Sequence, residues 1–163
     1  MRVYLAHSVH ERKLGKAVQE SLEATGIEVF NPFYSKPRKD IRAIDAGKAK
    51  AWQVTDKNTA KRIVESDLIE VCLSSAVLAI IPNGQTIGVP CEMLTAWEFS
   101  IPVYCVVPPI LKGHPWIVAL SEKIFTKETD AINFLTKLEV SHCLCGTCAE
   151  CEERKQAIVD ILK

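Results

Sequence analysis

"AVLAIIPNGQTIGVPCEMLTAWEFSIPVYCVV", residues 76–107, decides how this chain folds. It begins and ends in short, near-continuous apolar runs, 76–81 and 102–107, the pattern of strands buried on both faces. Between them Pro82-Asn83-Gly84 breaks the chain and Pro90 opens a helix, since proline is tolerated in a first turn whose N–H groups have no intrahelical partner. Two buried strands joined through a helix pair in parallel, because a parallel pair needs a long crossover. One residue is out of place in an ordinary core helix. Glu92 puts a carboxylate near its start, just beyond a glycine-containing loop.

The same alternation extends outward. "VYLA" (3–6) is a first strand, followed by an amphipathic helix with Leu14, Val18 and Leu22 on one face. Gly26 closes that helix, and "IEVF" (27–30) gives a second strand before the Asn31-Pro32 break. Residues 34–50 are basic and irregular and read as an exposed loop. A second helical pattern runs from Asp56 to Leu73 with Ile63, Val64, Leu68 and Val71 apolar. After residue 107, "WIVALSE" is a short helix, "KIF" an edge strand and "TDAINFLTKL" a further helix. The order predicts an α/β fold of three layers, flavodoxin-like or Rossmann-like, with about five parallel strands ordered 2-1-3-4-5. The expected organisation is one α/β domain over 1–138 and a cysteine-rich tail with a C-terminal helix over 139–163.

With 48% hydrophobic and 25% charged residues among 163, the composition is that of a globular domain with a full core. The formal net charge is zero, which gives no global footprint for nucleic acid or for a membrane surface. No apolar run reaches the roughly 18 residues of a spanning helix, and no signal-peptide pattern precedes the first strand. A cytoplasmic location is therefore expected. Of the seven cysteines, Cys72, Cys91 and Cys105 lie in apolar or helical surroundings. Cys143, Cys145, Cys148 and Cys151 are spaced C-x-C-x-x-C-x-x-C, which suits one tetrahedral structural Zn²⁺ and also permits an iron–sulfur cluster. His142 is a substitute ligand, and four free thiols are the plain alternative. Four protein ligands leave no open position, so no cofactor is expected to take part in catalysis.

In a parallel sheet ligands bind beyond the carboxyl ends of the strands. Three loops are expected to converge there: His7–Arg12, Pro82–Gly88 and Pro108–Trp116. The first offers Ser8, His10 and Arg12, the second Thr86, Gly88 and backbone amides at a helix start, the third His114. All suit an anion. A first-turn glutamate has a plain explanation as a complement to the helix dipole. Between two loops that suit phosphate, an ionised Glu92 also qualifies as a nucleophile at a sugar carbon. Tyr4 can equally fill the sheet, and Ser8 and Thr86 can be simple turn residues. Asp67, in a largely apolar helix face, is harder to place without a polar role.

"MRVYLAHS", "ESDLIEVCLSSAVLAII" and "TIGVPCEMLTAWEFSIPVYCVV" together resemble the nucleoside 2-deoxyribosyltransferase family over most of residues 1–107. The resemblance implies that Glu92, in a G-x-x-x-E pattern with Gly88, attacks the anomeric carbon of a nucleoside. It further implies that Tyr4 orients that carboxylate and that Asp67 helps bind and protonate the nucleoside. Transferases acting on free nucleosides carry Asp at the position of Thr86; the branch that hydrolyses nucleoside 5′-monophosphates carries a hydroxyl residue there and a Ser matching Ser8, both toward the phosphate. The glycines that follow that Ser in the branch are absent from "HSVHER", where His10 and Arg12 supply positive charge instead. A homodimer or larger homo-oligomer is also implied. "VYLAHSVHERKLGKAVQESLEATGIEVF" and "VPCEMLTAWEFSIPVYCVV" resemble, more distantly, the TIR domains whose enzymatic branch cleaves NAD with a Glu at this place. The expectation is an N-glycosidase acting on a nucleoside 5′-monophosphate. The alternatives are a transferase acting on free nucleosides, an NAD glycohydrolase and a nucleotide-sensing domain without turnover.

Overall fold

The apolar runs become strands and the amphipathic stretches helices in the computed structural model, which describes residues 1–36, 41, 45, 56–82 and 86–142. In chain order these are β1 (Arg2–His7), α1 (Arg12–Glu23), β2 (Glu28–Phe30), α2 (Lys57–Cys72), β3 (Ala76–Ile80), α3 (Gly88–Glu98), β4 (Val103–Val106), α4 (Pro115–Leu120), β5 (Lys123–Phe125) and α5 (Glu128–His142). Among the described residues the strands form one sheet, ordered β2-β1-β3-β4-β5. Every pairing is parallel. This is the predicted fold class and strand order. The four clustered cysteines and the tail after residue 142 lie outside the described residues, and α5 runs through position 138, where the first domain was expected to end.

Two periodicities divide the core into layers. Val3, Leu5, Leu78, Ile80 and Val106 project to one face, where Val18 and Leu22 of α1 and Leu135 of α5 cover them. The intervening residues Tyr4, Ala6, Val77, Ala79, Val103 and Cys105 project to the other, against Val71, Met93, Ala96 and Ile117 of α2, α3 and α4. Alternate side chains of a strand point to opposite faces, so consecutive apolar residues serve two layers at once. The turn after α1 ends at Gly26, whose φ of +88° is the left-handed conformation that glycine adopts without strain. The Asp56 side chain caps α2 by accepting from the Thr59 N–H at 2.8 Å.

With this strand order the chain leaves β1 in one direction and β3 in the other, so the topological switch lies between them. His7 pairs with Ile80 at the last step of the β1–β3 ladder.

Candidate active site

Tyr4 sits mid-strand on the face that meets α2 and α3, wholly buried and stacked on Phe30 with ring centroids 5.7 Å apart. Its hydroxyl donates to Glu92 Oε1 at 2.7 Å. Burial and the neighbouring Glu92 carboxyl raise the Tyr4 pKa well above its usual value, so it remains a neutral donor. The other Glu92 oxygen, Oε2, is buried without a hydrogen-bond partner from the protein. One oxygen is therefore held and the other is buried and unpaired.

Glu92 lies at the end of a cleft of about 800 Å³ over the β1/β3 switch. Ser8 and His10 come to the same cleft from the turn after β1, Asp67 from α2, and Thr86 and Gly88 from the start of α3. Ser8 precedes a 3₁₀ turn without spending its hydroxyl on a cap. Thr86 Oγ1 accepts weakly, at 3.5 Å, from the Val89 N–H. A Cβ added at Gly88 would meet nothing among the described residues. Tyr4 reaches this place through its hydrogen bond to Glu92.

Four expectations need revision. First, Glu92 is not in the first turn. α3 starts at Gly88, two residues before Pro90, which puts Glu92 fifth in the helix, beyond the reach of the terminal dipole. Second, Glu92 is not kept ionised. Burial raises its pKa to about 8, opposed by the Tyr4 hydrogen bond and reinforced by the charge of Asp67. Third, Arg12 does not line the cleft: its Nε donates to Asp45 Oδ1 at 2.6 Å and its Nη1 to the Val9 carbonyl at 3.1 Å. Fourth, the loop after β4 is not among the cleft-lining segments, and His114 instead precedes α4. The sheet order gives the reason, because β3 stands between β4 and the switch.

Where the third loop was expected, the segment after β2 contributes Pro32 and Phe33, and α2 contributes Ile63, Val64 and Leu68. These apolar residues make up part of the cleft wall. Val64 is 56% exposed; its side chain belongs to the cleft and not to the core. His7, which no motif singled out, also lines the cleft. Its one sequence signal is Gly15, a glycine on the buried face of α1 that leaves room for a ring.

No protein-family model matches the chain, and no curated protein matches it by sequence. Solved structures do match. The 2-deoxyribosyltransferase of Bacillus psychrosaccharolyticus superposes with a TM-score of 0.59 at 17% identity, covering 82% of this chain and 91% of that one. A conserved protein from Enterococcus faecalis V583 gives 0.63 at 15% identity, covering 85% and 98%. The CMP N-glycosidase of Clostridium botulinum gives 0.54 at 17% identity, covering 85% and 99%. The chain has the fold of these proteins, and each is spanned almost end to end.

Proposed function

We propose that this protein cleaves the N-glycosidic bond of a nucleoside 5′-monophosphate, with Glu92 as the attacking carboxylate. The observation that carries the reading is the Tyr4–Glu92 pair: a neutral phenol holds one carboxylate oxygen at 2.7 Å and leaves the other without a protein partner at a cleft. Two proteins of the same fold, a 2-deoxyribosyltransferase and a CMP N-glycosidase, support bond cleavage at a sugar's anomeric carbon. Thr86 supports the monophosphate, because an Asp in its place would set like charges together. Ser8, Thr86 and the amide of Gly88 are assigned to the phosphate, and the apolar α2 wall to the base.

Glu92 and Asp67 oppose each other's ionisation, so the pair is assigned one shared proton. In the reactive arrangement the proton is on Asp67. Glu92 Oε2 bonds to the anomeric carbon as the carbon–nitrogen bond breaks, and the departing base takes the proton from Asp67. Water then attacks the same carbon, gives a proton to Asp67 and frees Glu92, leaving a sugar 5-phosphate.

The test incubates the protein with ribo- and deoxyribonucleoside monophosphates, free nucleosides and NAD, and follows release of base. Release from monophosphates, lowered by several orders of magnitude in Glu92→Ala and by less in Tyr4→Phe, is the expected result. Equal turnover of free nucleosides would refute the phosphate assignment. Release from NAD alone would make the protein an NAD glycohydrolase, and no release from any of them a nucleotide-sensing domain.

A further inference from the structure

His7 closes β1 with 3% of its surface exposed and forms part of the cleft wall beside Ser8. Its ring has a built seat. A Cβ on Gly15 would lie 2.2 Å from Nε2 and 2.4 Å from Cε1, so α1 admits this imidazole only because residue 15 is glycine. Phe33 packs against the ring with centroids 5.0 Å apart.

Both ring nitrogens face oxygen acceptors. Nδ1 lies 3.1 Å from the Ser8 carbonyl and Nε2 lies 3.2 Å from Asn31 Oδ1. The carbonyl can only accept. The Asn31 amide cannot be turned over, because its Oδ1 already accepts from the Phe33 N–H at 3.0 Å and a reversed amide would set two donors against each other. A neutral imidazole has one N–H and serves one of these acceptors; an imidazolium serves both. Burial opposes the charge and lowers the His7 pKa from its usual value. Burial outweighs the two acceptors, which favour the charged ring, and a counter-charge in the cleft would work against burial.

Among the described residues, the charged and titratable groups on the elements next to His7 are His10 and Glu11 on the turn after β1 and Arg12 and Lys16 on α1, and those that line the same cleft are His10, Asp67 on α2 and Glu92 on α3. Arg12 is paired with Asp45, and the Lys16 ammonium lies over the Tyr34 ring at 5.6 Å. Resting on the monophosphate reading above, we propose that His7 is a proton-linked selector for the phosphate. It is neutral in the empty cleft and takes up a proton when a phosphate monoester binds beside Ser8, so phosphorylated ligands gain a cation that unphosphorylated ones never create.

Imidazole NMR of the full chain over pH, with ribose 5-phosphate or ribose as the probe, reads this directly. His7→Gln assigns the His7 resonance among the four histidines; if that variant fails to fold, Gly15→Ala, which crowds the ring, assigns it instead. Saturating ribose 5-phosphate is expected to move the His7 titration upward by about one unit or more, as an opposite charge within ~4–6 Å does, while ribose leaves it in place. Proton uptake on ribose 5-phosphate binding should persist in Glu92→Gln. A His7 titration that stays put while ribose 5-phosphate binds would overturn the selector and leave the phosphate site standing. No binding of ribose 5-phosphate at all would overturn both.

Discussion

Glu92 holds a buried position that costs stability wherever its carboxyl is ionised. Its pKa rises from an ordinary 4.5 to about 8 on burial. A carboxyl raised in this way contributes fully to stability below about 4.5 and loses that contribution as the pH climbs toward 8. At ~1.36 kcal/mol for each pH unit of separation, the loss reaches roughly 3–5 kcal/mol. Glu92→Gln keeps an acceptor for Tyr4 and cannot ionise, although its buried amide N–H₂ lacks a partner, at a cost of about 1–3 kcal/mol. The variant should therefore melt several degrees above wild type at pH 8, with the gap closing or reversing at pH 5. Parallel melting curves at both values would show that Glu92 titrates normally. The same coupling shapes turnover. If Glu92 and Asp67 share one working proton, kcat/KM falls on the alkaline side as that proton leaves near pH 8. A rate that instead rises through this range would mean that the acid assigned to Asp67 is not needed.

At the scale of the element, α2 is where sequence and structure differ most. Of its apolar residues at helical spacing, Val71 is buried in the core, while Ile63, Val64 and Leu68 line the cleft. Periodicity identifies an apolar face and is silent on what covers it. Val64→Ser should change stability by only about 0.5 kcal/mol, because the side chain is half exposed. It should weaken nucleotide binding by removing part of the wall, measured as a higher KM at unchanged melting temperature; an unchanged KM would remove α2 from base recognition. The strand order was legible because buried parallel strands are nearly continuous apolar runs, and Tyr4, Asp67 and Glu92 because side chains of those types stand out against such runs. The start of α3 was placed two residues late, since Pro90 fits any position in the first turn. That shift put Glu92 at a dipole it does not reach, and the ionisation expected of it followed from the misplacement. His7 was invisible because its partner, Asn31, is 24 residues away and neither belongs to a motif.

At the scale of the molecule, the cleft is built from what leaves β1, β2 and β3 together with α2 and α3. Among the described residues the buried hydrophobic core runs from Val3 to Leu135. The four clustered cysteines begin at residue 143, past the last residue of that core, so their chemistry is expected to be separable from the site. We propose that the four thiolates within nine residues hold a tetrahedral Zn²⁺, and metal bound in so short a segment would contribute directly to its folding. Protein purified without added metal should contain about one equivalent of zinc by elemental analysis; a brown colour would indicate an iron–sulfur cluster instead. Stripping the metal with a strong chelator should expose four titratable thiols while leaving the main thermal transition and base release unchanged. Less than about a tenth of an equivalent of metal, with those thiols already free in native protein, would sink the metal assignment. A chelator that also lowers the main transition would mean instead that the tail is a working part of the α/β body.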